Sequence, residues 1–205
     1  MSTKNVYIAS SRMEEIGSKC VSFASENLPK GYSLCDNMQE SDIFVSVLYD
    51  TIIDEDFISS RERCVNFHPG ILPEYKGSAT YSWAIINKEP EAGVTLHEID
   101  SGIDSGPIIE IKKTLISNKD TAETVFYRCM DILYNMFCDN LSRILSGEYK
   151  TVQNKGGSVY LKKHLPSAKD ITHIVRAFTF EEKEKAFFYN SLGEKIYLSY
   201  YPEGG

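Results

Sequence analysis

"DIFVSVLY", residues 42–49, is the stretch whose reading decides the fold. It is a continuous apolar run rich in Ile and Val, without the polar alternation of a half-buried strand. Such a run is covered on both faces, as in a parallel sheet flanked by helices.

Working outward, "VYIAS" (6–10) reads as a buried first strand, and Ser11 with Glu14 offers a capping box for a helix running to about Asn27. "YSLCD" (32–36) reads as a strand, "DEDFISSRER" as a helical turn and "CVNF" (64–67) as another short strand. Strands alternating with helices give an α/β class with a mainly parallel sheet. "TYSWAIIN" (80–87) predicts a helix, "GVTLHEI" (93–99) an alternating strand and "PIIEIKKTL" (107–115) a further strand. A long amphipathic helix follows from Asp120, capped by Asp120 with Glu123; it buries Val125, Cys129, Leu133, Met136, Phe137, Leu141 and Leu145 and stops at Gly147. After "NKGG" (154–157) the composition changes, and "KAFFYNSLGEKIYLSYY" predicts a β-hairpin turning at "NSLG". The expected division is 1–155 as the main domain and 156–205 as a small extension packed on it.

The 205 residues suffice for a sizeable core, and 42% hydrophobic with 25% charged residues is the balance of a soluble globular chain. No window could span a membrane and the first thirty residues lack a signal pattern, so a cytoplasmic protein is expected. Five scattered cysteines without a Cys-x-x-Cys pair read as small buried hydrophobes. A net charge of -7 opposes general nucleic-acid binding; the one dense basic spot is "YLKKH", with Lys162, Lys163 and His164.

In open α/β sheets ligands sit beyond the carboxyl ends of the strands, which is where Asn66 and His68 fall in "VNFHPGILPEYKG" (65–77). Two apart on extended backbone, they share a face. An amide beside an imidazole can hold a developing oxyanion and move one proton. A carboxylate such as Asp104, in the loop "DSGIDSGP", can fix the imidazole tautomer, raise its pKa so that it donates as a cation, and accept an amine's proton. Together the three suit acyl transfer to an amine. The plain alternatives are that Asn66 caps a turn, His68 is structural and Asp100 and Asp104 are turn formers. His97 reads as a supporting residue. A zinc or iron site from His68, His97, Asp100 and Asp104 is the sharper competitor, but no pair has a recognised ligand spacing, so no metal is expected.

The linked motifs "NFHPGILPEYKG", "GVTLHEID" and "DSGIDSG" resemble those of the formyltransferases that use 10-formyltetrahydrofolate, over about residues 40–150. The resemblance implies a Rossmann-like fold, with Asn66, His68 and Asp104 as catalytic amide, imidazole and carboxylate and His97 in support. It also implies that Tyr49, Asp50, Thr51, Ile52, Ile53, Asp100 and Ile103 hold the pterin of 10-formyltetrahydrofolate, largely through backbone groups. With only 65 residues ahead of Asn66, a strand–helix unit is expected to be trimmed.

Three acceptor classes divide that family: methionyl-tRNA, glycinamide ribonucleotide and nucleotide-linked amino sugars. The acidic charge and the short tail disfavour tRNA, and a chain continuing past the long helix disfavours glycinamide ribonucleotide. The resemblance therefore implies a sugar N-formyltransferase acting on a UDP- or dTDP-linked 4-amino-4,6-dideoxyhexose, such as 4-amino-4,6-dideoxyglucose. Tyr75, Lys76, Gly77 and Trp83 are candidate acceptor contacts, with helix packing the plain alternative for Trp83. A non-catalytic folate-binding protein stays open as a different class, and so does homodimer formation.

Overall fold

The computed structural model describes residues 3–161, 171–181, 183–189 and 192–200. Six strands form the central sheet in the order β2-β1-β3-β4-β6-β7: β1 (Lys4–Ala9), β2 (Tyr32–Leu34), β3 (Ile43–Val47), β4 (Arg63–His68), β6 (Glu91–Glu98) and β7 (Ile108–Leu115). The first four pair in parallel, β6 pairs antiparallel with β4, and β7 pairs antiparallel with β6. The sheet is thus mostly parallel, as "DIFVSVLY" implies, and all five residues of β3 are buried. The chain moves from β1 outward to β2 and returns past β1 to β3, so its direction reverses between β1 and β3. A crevice opens at that reversal, beyond the strands' carboxyl ends.

Helices α1 (Ser18–Asn27), α2 (Glu55–Ser59), α3 (Thr80–Ile86) and α4 (Ala122–Ser146) complete the layers. Every residue of the predicted stripe on α4 is buried, and Gly147 ends the helix at φ 78, a left-handed conformation that glycine adopts without Cβ strain. Phe137 on this stripe meets Phe67 of β4 with ring centroids 5.6 Å apart, tying the back of the site strand to the core.

Local structure departs from the sequence reading at three places. The Ser11–Glu14 capping box does not form: the Ser11 hydroxyl donates to Asp50, and a wide turn, Met13–Gly17, precedes α1. The cap of α4 is a Thr121–Thr124 box, while Asp120 accepts from the Ser117 N–H at 2.7 Å and from Arg128 at 2.5 Å. Strand β6 is buried from Ala92 to His97 instead of alternating, because α3 and α4 pack against it while β4 and β7 flank it.

Past residue 155, β8 (Ser158–Tyr160) pairs in parallel with the short β5 (Tyr75–Gly77), and α5 (Ile171–Ala177) packs on α3. The Ser82 hydroxyl donates to the Ala177 carbonyl at 2.7 Å, and buried Arg176 donates to the carbonyls of Ser117 and Asp120. The hairpin strands are β9 (Phe187–Tyr189) and β10 (Lys195–Tyr197); half of the expected turn, 190–191, and the basic spot 162–164 lie outside the described residues. Among the described residues no helix is long and apolar enough to cross a membrane.

Candidate functional site

Asn66 and His68 leave β4 on one face, with Phe67 between them pointing into the core. The register sets Ser46 of β3 and His97 of β6 on either side of Asn66. The Ser46 hydroxyl donates to Asn66 Oδ1 at 2.7 Å. His97 Nδ1 lies 2.6 Å from the Glu98 carbonyl and so carries the proton, which leaves Nε2 to accept from Asn66 Nδ2 at 3.2 Å. The second amide hydrogen faces Asp104 Oδ1 at 3.4 Å. Both neighbours of Nδ2 are acceptors and the neighbour of Oδ1 is a donor, so the amide has one orientation, with its donors toward the crevice.

Asp104 arrives from the loop between β6 and β7. Its carboxylate takes the Gly77 N–H at 2.8 Å and lies 3.4 Å from His68 Nδ1 and 3.5 Å from His97 Nε2. Burial pushes its pKa up, but the ring N–H groups that His97 and His68 turn to it once protonated, together with the Gly77 N–H, outweigh burial and hold it at about 2. It is therefore a fixed anion. His68 Nε2 donates to the Tyr75 carbonyl at 2.6 Å. Burial holds the His68 pKa below its ordinary value, against the pull of Asp104 and Tyr75 upward. This corrects the expectation of a cationic His68: desolvation keeps the resting imidazole neutral, with its proton on Nε2 and its Nδ1 lone pair free. Were Nδ1 to gain a proton, both ring N–H groups would face acceptors, Tyr75 and Asp104.

The crevice has a volume of about 1140 Å³ and is lined by all three of these side chains and by His97. Tyr49, Asp50, Thr51, Ile52, Ile53, Asp100 and Ile103 all line it, and of these Ile52 and Ile103 are exposed. Arg12–Glu15, Ser78–Ser82, Phe126, Ala177, Phe178, Phe180, Lys183 and Glu184 line it as well, and Ser11, bonded to Asp50, lies beside residues 49–53. Of the candidate acceptor contacts, only Gly77 lines the crevice. Tyr75, Lys76 and Trp83 sit behind its wall: the Tyr75 ring stacks on Tyr160 and its hydroxyl donates to Glu89, Trp83 also packs on Tyr160, and Lys76 is buried. Among the described residues no three His, Cys, Asp or Glu side chains are grouped to hold a metal ion.

Sequence reasoning missed Ser46, the Tyr75 carbonyl and the Gly77 N–H. A lone polar residue inside the apolar run 43–47 was the one available signal, for Ser46.

The family model described as "Formyl transferase" matches residues 14–141. The chain belongs to that family. A methionyl-tRNA formyltransferase of Malacoplasma penetrans is 30% identical over 117 residues, which are 57% of this chain and 37% of that protein. The chain spans about a third of the length of the curated relatives it matches. Among solved structures, a sugar N-formyltransferase from Shewanella sp. aligns with a TM-score of 0.82 at 19% identity, covering 98% of this chain and 99% of that one. A formyltransferase from Anoxybacillus kamchatkensis, solved with UDP-4,6-dideoxy-4-formamido-L-AltNAc and tetrahydrofolate, aligns with a TM-score of 0.63 at 25% identity, covering 76% and 85%. The mixed α/β fold is shared with these structures.

Proposed function

We propose that this protein is a sugar N-formyltransferase, moving the formyl group of 10-formyltetrahydrofolate to the amine of a UDP- or dTDP-linked 4-amino-4,6-dideoxyhexose. The observation that carries the reading is the meeting of Asn66, His68 and Asp104 on the wall of one crevice. The volume exceeds that of an ordinary single-ligand pocket, as a two-ligand reaction needs. The lining by residues 49–53 and 100–103, apolar at Ile52 and Ile103, fits a pterin. The lining by Ala177, Phe178, Phe180, Lys183 and Glu184 is left for the acceptor, so that the part after residue 155 extends the catalytic unit 1–155.

When bound, the folate supplies the formyl group on its N10 nitrogen. Asn66 Nδ2–H turns from Asp104 to the formyl oxygen as negative charge collects there. His68 Nδ1 takes the proton that the sugar amine loses as its nitrogen bonds the formyl carbon. Asp104 and the Tyr75 carbonyl hold the resulting imidazolium, which returns the proton to N10 as the carbon–N10 bond breaks. His97 and Ser46 keep the amide turned the right way.

The test is incubation with 10-formyltetrahydrofolate and a panel of UDP- and dTDP-amino sugars, glycinamide ribonucleotide and methionyl-tRNA, read by mass. A gain of one formyl group on a nucleotide sugar is the expected result. Formylation of glycinamide ribonucleotide or of methionyl-tRNA alone would overturn the sugar reading, and folate binding without transfer to any acceptor would mark a non-catalytic binder. Methionyl-tRNA is included because of the relative at 30% identity.

A further inference from the structure

We propose that Asn154, in the connection after α4, is a positioning residue that sets Asp104 for the reaction; the inference rests on the catalytic reading above. Asp104 occupies an unfavourable backbone conformation, φ 46, in a loop on the crevice rim. A non-glycine residue in the left-handed region is disfavoured and persists only when its surroundings hold it. The holder is visible. Asn154 is buried, and its Nδ2 donates to the carbonyls of Asp104 and Gly106, both at 2.9 Å. One amide group thus clamps the backbone on both sides of Ser105, 48 to 50 residues away in sequence. An NH2 group has two hydrogens for two carbonyls, which a hydroxyl or carboxylate cannot supply.

Two further features brace the same point. Val152 bridges Ile108 with hydrogen bonds of 2.8 and 2.9 Å, fixing the connection against the start of β7. The Gly77 N–H that the Asp104 carboxylate accepts belongs to β5, which is paired with β8 just beyond Asn154. Residues 152–160 therefore support Asp104 from its backbone and from its side chain. This segment lies outside the matched span 14–141, so the geometry of the reacting carboxylate depends on chain beyond it.

Asn154→Asp is nearly isosteric and removes both donors, with Asp104→Asn as the reference. In steady-state transfer with the acceptor found above, Asn154→Asp is expected to lower kcat about 10- to 100-fold with KM for the folate nearly unchanged, because misplacing a reacting group by a fraction of an ångström has that scale of effect. A second readout needs no turnover. In protein labelled with 15N-histidine, the ring signals of His68 and His97, which face Asp104, should move in Asn154→Asp in the direction they move in Asp104→Asn. Unmoved ring signals with kcat within twofold of wild type would overturn the proposal, as would ring shifts unlike those of Asp104→Asn. If wild type transfers no formyl group, the catalytic reading fails while the histidine spectra still decide whether Asn154 positions Asp104. Should Asn154→Asp not fold, Asn154→Ser, which keeps one donor, replaces it; intermediate ring shifts support the clamp and unchanged ones refute it.

Discussion

Ser46 and Asn66 stand side by side in register on adjacent parallel strands, the hydroxyl 2.7 Å from the amide oxygen. Without that donor Oδ1 is an unpaired acceptor at the edge of the core, a loss of about 1–3 kcal/mol that swinging the side chain would relieve. Ser46→Ala is therefore expected to lower kcat about 10-fold while stability falls by about 1 kcal/mol, with Ser46→Thr recovering most of the rate. Steady-state kinetics beside urea unfolding checks this. Equal activity of Ser46→Ala and wild type would show that His97 and Asp104 orient the amide unaided.

Gly70 predicts a second effect from a close approach. A Cβ on it would lie 2.6 Å from the Tyr75 carbonyl oxygen and 2.7 Å from His68 Nε2, the two atoms joined by the bond that fixes the imidazole tautomer. Gly70→Ala must push them apart, at a stability loss of about 1–3 kcal/mol typical of overpacking. Transfer should fall at least 10-fold, since the imidazole would no longer be held for proton transfer. Thermal unfolding and turnover on the same preparation separate the two effects, and an unchanged kcat would remove the Tyr75 carbonyl from the mechanism.

His68 makes stability depend on pH in a known direction. Its folded pKa lies below 6.5, chiefly through burial. Below about pH 6.5 the unfolded chain takes up a proton that the folded chain refuses, so stability falls as pH drops, until the lowered pKa is reached. In His68→Gln that slope is absent. Its unfolding free energy relative to wild type should be constant above pH 7 and move in the variant's favour below 6.5, measured by urea melts from pH 8 to 5. A relative change of opposite sign would mean that the ionised carboxylate of Asp104 outweighs burial at this ring.

How much of this could be read from the sequence follows from which groups do the work. The strand 43–47 and the stripe of α4 were legible because burial forces apolar side chains into a regular pattern. Asn66 and His68 were legible because two positions apart on a strand means one face, and Asp104 because a Gly/Asp loop shows where a rim turns. The Tyr75 carbonyl and the Gly77 N–H were not, since backbone groups leave no mark on residue identity. Ser11 looked like a cap, but its hydroxyl is claimed by Asp50, 39 residues on, and a tertiary partner of that kind overrides a local motif. Tyr75 and Trp83 were aromatic and near the site in sequence, yet the pairing of β5 with β8 brings Tyr160 against both rings, and neither lines the crevice.

Asp104 gives the prediction that separates charge from shape. Asp104→Asn keeps the size of the side chain and can still accept the Gly77 N–H, but it removes the anion that faces His68 Nδ1. The imidazolium formed during transfer then lacks its counter-charge, and kcat should fall at least 100-fold, consistent with the contribution of a positioned proton-transfer partner. Stability should respond as well. The Asp104 pKa drops from 3.8 unfolded to about 2 folded, where His97, His68 and the Gly77 N–H together outweigh burial. The unfolded carboxyl protonates first on acidification, so the advantage, on the order of 2 kcal/mol, is present in full above pH 4 and is lost as pH falls toward 2. Urea melts of wild type and Asp104→Asn from pH 6 downward should converge as acid is added. A deficit that stays constant down to pH 3 would place the effect of the substitution in packing at the Gly77 contact, and the charge of Asp104 would then have no share in holding the fold.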